Sequence, residues 1–244
     1  MKNILSKIEF HYTYLIIAFG FIITGYFSNL IIFSSLVLVH ELGHVCMFLF
    51  YKIKINKVII YPFGGVTKIS SIIDIDIDTA LIIAIMGVVF QSLFFVFLNC
   101  LDLGSDLVSM YHFSILVFNL LPIYPLDGFK IFNLYLSKFF SYKLSNIISL
   151  IVSVIFIFIL IIVGFNNYSY YLIISVLFYN IYIYYKNIDV LYNRFVLERY
   201  LYKYNFNKYK IIDNIKNMYR NRKHLFISKN GLVKEDKYLS KVFK

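Results

Sequence analysis

Val39-His40-Glu41-Leu42-Gly43-His44 stands in the middle of an apolar run from Leu30 to Tyr51. An α-helix advances about 100° per residue, so His40 and His44 fall one turn apart on one face with Glu41 beside them. Two imidazoles at i and i+4 offer a divalent metal two nitrogen ligands, and the adjacent carboxylate offers a general base. Ionisable groups in the middle of a lipid-length helix cost about 2.5–3.5 kcal/mol each at the bilayer centre, so their presence there implies a use.

A catalytic zinc needs a third protein ligand and an open position for water. His11, His112 and His224 are the remaining histidines, but the strongest candidate is Asp127, in Phe118-Asn119-Leu120-Leu121-Pro122-Ile123-Tyr124-Pro125-Leu126-Asp127-Gly128. The two prolines remove backbone donors and push Leu121 and Tyr124 out of the helical region. Irregular backbone at membrane depth survives only where protein or a water-filled cavity surrounds it, and there a carboxylate can be both solvated and metal-bound. The alternative is that Asp127 caps the amphipathic helix that follows. With one Zn²⁺ per chain on His40, His44 and Asp127, a bound water would ionise near neutrality. Glu41 would take its proton and pass it to a departing amine. That is peptide hydrolysis within the membrane.

Composition agrees with the setting. Of 244 residues, 60% are hydrophobic and only 15% charged, too few charges to cover a water-soluble domain of this size. The net charge of +11 is concentrated in residues 186–244, where 15 Lys+Arg face 5 Asp+Glu for a net of +10. No nucleic-acid motif accompanies it, so the basic tail suits an anionic leaflet and excludes nucleic acid as the expected partner. Cys46 and Cys100 sit in apolar runs and read as small buried residues rather than a disulfide.

The expected fold is an all-α polytopic membrane bundle of about six transmembrane helices, near residues 11–28, 30–51, 80–101, 107–123, 146–165 and 169–185. Residues 1–186 form the membrane domain and 187–244 a short basic tail. Lys2 and Lys7 precede an uncleaved first span, and Lys52, Lys54, Lys57, Lys130, Lys138, Lys143 and Lys186 fall in alternate connections. That distribution puts both termini in the cytoplasm. Between spans two and three, residues 52–59 alternate, Pro62-Phe63-Gly64-Gly65 turns, and Val66-Thr67-Lys68-Ile69 runs back, the pattern of a β-hairpin. Its edge could hold an unwound substrate by β-addition. Ile73-Asp74-Ile75-Asp76-Ile77-Asp78 alternates as well and reads as a solvated strand or a lead into span three. In span three, Gly87 and Gln91 lie one turn apart, fit either for close helix packing or for holding a substrate backbone.

His40-Glu41-Leu42-Gly43-His44 together with residues 119–128 resembles the paired signatures of the site-2 protease family of intramembrane zinc metalloproteases. The Pro62-Phe63-Gly64-Gly65-Val66 turn, the six spans and the short amino terminus resemble one branch, the stage IV sporulation protein FB group of endospore-forming bacteria. Over residues 10–205 the resemblance implies zinc on His40, His44 and Asp127, Glu41 as catalytic base, and cleavage of a membrane-associated protein near the cytoplasmic face. It implies a multi-pass protein of the cell membrane or of a membrane around the forespore. In that branch the substrate is a sporulation sigma-factor precursor, and membrane partner proteins hold the protease inactive. Asn119 matches a family asparagine that bonds substrate backbone, whereas Gln91 stands where the wider family has the Asn of Gly-x-x-x-Asn. This chain also lacks the family's common Ala-Gly-Pro, and the residues after Lys186 are too few for the paired CBS module with which branch members often end.

Two other classes compete. A catalytically silent scaffold would keep a metal motif but needs no base, and Glu41 is intact. An ion or proton transporter would call for a repeated pair of broken helices, and one Pro-broken segment is present.

Overall fold

The computed structural model describes residues 8–61, 64–69, 75–164, 168–202, 204, 206, 208–228 and 231–243. The chain is mostly helical and divides into two compact units, residues 1–70 with 82–120 and residues 71–81 with 121–244.

In the first unit, strand β1 (Ile8–Phe10) leads into α1 (Tyr12–Ile23), whose N-cap His11 accepts the Thr13 amide through its ring nitrogen. Gly25, at φ +76°, adopts the left-handed conformation that reverses the chain into α2 (Phe27–Phe50). The 24 residues of α2 extend about 36 Å, longer than a hydrocarbon core of about 30 Å. Its buried residues are Leu36, Val37, His40, Glu41, Gly43, His44 and Val45, a stripe at helical spacing that carries the metal motif inward. Leu36 and Val37 pack on Ile115 of α4 (Asp106–Leu120), and Asn29 donates to the Tyr111 hydroxyl at 3.0 Å.

Strands β2 (Ile55–Tyr61) and β3 (Gly64–Ile69) pair antiparallel, with Val58 opposite Thr67 and Ile59 opposite Val66. Pro62 and Phe63 of the expected turn lie outside the described residues. One feature of this sheet has no local signal: β1 pairs in parallel with β2, Glu9 opposite Ile59, so β2 is the central strand and the edges belong to β1 and β3. Val58 and Ile55 pack with Val45 beneath the end of α2.

Helix α3 (Ile77–Cys100) begins within the alternating segment, which is a lead into the helix and not a strand over its described residues. Ile75 and Ile77 are buried, and the Asp76 carboxylate accepts the Asp78 amide in the manner of a helix start, while Ile73 and Asp74 lie outside the described residues. Among the described residues, three helices are long and apolar enough to cross a membrane: α2, α3 and α6 (Tyr142–Val163). Helices α1 and α4, expected as full spans, are apolar but shorter.

In the second unit the Pro-broken segment leads into α5 (Asp127–Leu136). Neither proline can donate, and Ser153 of α6 supplies what the segment lacks, donating to the Pro122 carbonyl at 2.9 Å and accepting the Tyr124 amide at 3.4 Å. The Tyr124 ring packs on Tyr184 and Phe129. Asn133 donates to Asn146 and Ser149, and Tyr184 donates to the same Asn146 oxygen, so α5, α6 and α7 (Tyr168–Leu201) share one satisfied polar network.

The basic end of the chain, expected as a short basic tail, is a folded structure. Helix α7 runs unbroken past Lys186, and β4 (Tyr209–Ile212), β5 (Lys223–Ser228) and β6 (Gly231–Lys234) form a second sheet before α8 (Glu235–Val242). β4 is parallel to β5 and β6 antiparallel to it. Ile212, Met218, Phe226 and Leu239 form a core with Tyr142, Tyr192, Phe195 and Val196 of the long helices. That attachment is how so few residues complete a core. Arg220 also donates to the Ile75 carbonyl and Asn221 to Asp76, tying this structure to the lead into α3.

Within it, Arg199 makes a two-pronged pair with Glu235 at 2.8 Å through each nitrogen, and both are buried. Nε2 of His224 accepts the Tyr219 amide at 2.9 Å while Nδ1 faces Glu235 at 3.0 Å, an arrangement that requires the neutral ring. Burial, working against the Glu235 carboxylate, holds the imidazole below its ordinary pKa. Burial alone would raise Glu235, but the bonds from His224 and Arg199 overcome it and hold the carboxyl below its ordinary value. Both folded-state values are depressed, so both contribute stability that is present above the unfolded value and lost as pH falls. Amide protection of β5 is therefore expected to weaken as pH falls below about 6.5, and further in the carboxylate range, as hydrogen exchange would show. His224→Gln should remove the upper step.

Candidate metal centre

The centre begins with a close approach of α2 to α3. A methyl group at Gly43 would lie 2.5 Å from the Met86 carbonyl oxygen and 2.9 Å from Cβ of Phe90, so only glycine lets the helices meet here. The result sets both rings of α2 against the face of α3. His44 places Nδ1 2.8 Å from the carbonyl oxygen of Ile83, and His40 places Nδ1 3.0 Å from Oε1 of Gln91.

These contacts decide where the protons are. A backbone carbonyl only accepts, so Nδ1 of His44 carries hydrogen and Nε2 carries a lone pair. Gln91 Nε2 donates to the His112 carbonyl at 3.1 Å, which leaves the amide oxygen for His40 and puts the His40 proton on Nδ1 too. The two Nε2 atoms then face each other at 3.2 Å with lone pairs only. Buried acceptors in that relation repel unless a cation lies between them. Two nitrogens bound about 2.0–2.1 Å from a tetrahedral zinc lie roughly 3.3–3.4 Å apart, so the pair fits the ion.

Gly87 completes the cradle. A Cβ there would stand 2.4 Å from Nε2 of His44 and 2.7 Å from Nε2 of His40, in the space the ion needs. Glu41 is buried on the same stripe of α2, next to His40. His40, His44 and Asp127, the ligands that the sequence names, are each buried. In the second unit, Asp127 is the first residue of α5 and the N-cap is Leu126, so the carboxylate is not the cap. Lys130 holds its Oδ1 at 2.7 Å, and the start of the helix favours its negative charge.

Asn119 is buried in the last turn of α4. Gln91, expected either to pack between helices or to hold a substrate backbone, is fully buried and bonds His40 and His112. His112 is not brought to the ligand pair as a third nitrogen; its ring stacks on Phe95 at 4.2 Å. Gly87 hinted at close packing, but the close approach at Gly43 and the role of the Ile83 and His112 carbonyls have no sequence signal. Second-sphere partners of this kind orient the ligand and raise its basicity. Gln91→Leu is expected to weaken zinc binding about 10–100-fold in chelator competition, with helicity unchanged.

A model of peptidase family M50 matches residues 28–104 and 105–163, which include His40, Glu41, His44, Gln91, Asn119 and Asp127. The chain is 29% identical over 162 residues to stage IV sporulation protein FB of Bacillus subtilis, covering 63% of this chain and 56% of that protein. It is 30% identical over 154 residues to zinc metalloprotease MJ0392 of Methanocaldococcus jannaschii, covering 57% and 45%. The chain spans about half the length of these curated relatives. The solved site-2 protease of Methanocaldococcus jannaschii has the same fold, with a TM-score of 0.59 and 24% identity over 74% of this chain and 91% of that one. A family model that covers more than half of the chain, and lies over the helices whose glycines and carbonyls prepare the histidine pair, shows that the chain belongs to peptidase family M50, the site-2 proteases.

Proposed function

We propose that the chain is an intramembrane zinc endopeptidase that hydrolyses a peptide bond of a membrane-associated protein near the cytoplasmic face. The observation that carries this reading is the facing pair of unprotonated Nε2 atoms at 3.2 Å, with Glu41 adjacent on the same buried stripe. His40, His44 and Asp127 would hold the ion. A bound zinc would lower the pKa of a water toward neutrality and would itself polarise the scissile carbonyl. Glu41 takes the proton of the attacking water and hands it to the departing nitrogen, so the amine leaves neutral. Lys130 orients the Asp127 carboxylate, and Asn119 bonds the substrate backbone. The edge of β3 takes the unwound substrate segment as an added strand, because a helix in lipid shields its peptide bonds until it unwinds.

We assign six membrane segments, α1 to α4, α6 and the first half of α7, with both termini cytoplasmic. The alternating lysine-bearing connections support that orientation. Residues 1–186 then form the protease domain and 187–244 a cytoplasmic extension. The substrate named by the sporulation branch is a sigma-factor precursor, and membrane partner proteins would govern access to it. Reconstituted in liposomes with single-span candidate substrates, the protein should lose cleavage on treatment with a membrane-permeant zinc chelator and regain it when zinc is restored. Cleavage that persists in the metal-free protein overturns the reading.

A further inference from the structure

The second sheet has two faces, and the chain covers one of them. Paired residues on adjacent strands point the same way, so the register groups Ile212, His224 and Phe226 on the inner face. All three are buried, and Tyr238 of α8 stacks on Phe226. The same register groups Tyr209, Ile211, Leu225, Ile227 and Leu232 on the outer face, with Lys223 and Lys234 among them. Tyr209, Ile211, Ile227 and Leu232 are 62%, 53%, 58% and 56% exposed. A sheet face turned to water would carry polar residues there, and an adjoining apolar set of this size marks a contact surface.

Helix α6 indicates what meets it. Its exposed Leu144, Ile151, Ile155, Phe158 and Ile162 recur at helical spacing on one face of a helix fit to cross a membrane. Leu144 ends that stripe and, with Phe140, lines a groove of about 450 Å³ together with Ile211, Ile227, Lys210 and Tyr219. The lipid-facing stripe thus continues into the apolar sheet face. Charge agrees, because residues 186–244 carry a net +10 and two lysines stand on the outer face itself.

The geometry points to the bilayer's own anionic surface as the partner of this sheet. Tyr209, Ile211, Ile227 and Leu232 sit at the boundary of headgroups and acyl chains, and Lys223 and Lys234 reach lipid phosphates. The surface is independent of peptidase chemistry and requires only that α6 lie in the membrane.

The full chain with Cys46→Ala and Cys100→Ala, labelled with the fluorophore NBD at Ile227→Cys, tests this in nanodiscs of phosphatidylcholine and phosphatidylglycerol. Lys237→Cys, on the exposed side of α8, is the reference. The Ile227 label is expected to emit to the blue of the reference and to be quenched about twofold more, or better, by lipids bearing a nitroxide near the headgroup. Matching emission and quenching at the two positions overturns the proposal. So does a blue-shifted Ile227 label that nitroxide lipids leave bright, since protein, such as a second copy of the chain, then covers the face. A label at Ile211→Cys must repeat the Ile227 pattern, which keeps the test open if one variant fails to fold.

Discussion

Glu41→Gln is expected to lose cleavage by about 10²–10⁴-fold while keeping its zinc, the range that a positioned general base contributes. The carboxamide keeps the shape of the side chain and nearly fills its buried site on α2, but it cannot accept the proton of the attacking water. The contacts that set the tautomers of the histidine pair run to Gln91 and Ile83, which the substitution leaves in place. Metal content of the purified variant, measured beside single-turnover cleavage in liposomes, checks both halves. A silent scaffold or a transporter would be indifferent to the substitution, and cleavage surviving in the zinc-loaded variant would remove Glu41 from the chemistry.

Gly87→Ala should have the opposite signature, with metal and activity lost together. The added methyl would stand 2.4 Å from Nε2 and 2.6 Å from Cε1 of His44, and 2.7 Å from Nε2 of His40. Such contacts resolve only when a neighbour moves, and here the neighbours are the ligand atoms themselves. Ile83 and Gln91 hold the two rings from behind, so neither can retreat without breaking its Nδ1 bond. Zinc affinity is expected to fall by about 100-fold or more in chelator competition, at least as much as losing an outer-sphere partner costs. Gly20→Ala is the matched control, because a methyl at that position meets nothing within 4 Å and alanine favours a helix interior by about 1 kcal/mol. A Gly87→Ala protein with full zinc content would contradict the cradle described for this site.

How much of this was legible beforehand depends on how local the cause is. The turn-long spacing of His40 and His44 was legible because helical periodicity acts over a few residues, and the same holds for the break at Pro122 and Pro125. Alternation left Ile75–Asp78 open between a strand and a lead into span three, and the second holds: Asp76 uses its oxygen to start α3. Helix length was overestimated for α1 and α4, where apolar residues run on beyond the ends of the helix. The folded end of the chain was missed for a different reason. Parallel pairing needs an intervening connection, 14 positions from partner to partner for β4 and β5 and 50 for β1 and β2, and no periodicity records which strands will meet.

The order of residues by itself determined that two imidazoles and a carboxylate share one helical face, that the helix is apolar enough for lipid, and that a second, broken segment carries an aspartate. Each follows from backbone geometry and solvation over one or two turns. Only the tertiary structure decided which nitrogens bear protons and whether there is room for an ion. The Ile83 and His112 carbonyls orient His44 and, through Gln91, His40, while Gly87 leaves the space in front of both. A proton's position depends on the acceptor opposite it, and that acceptor comes from another helix.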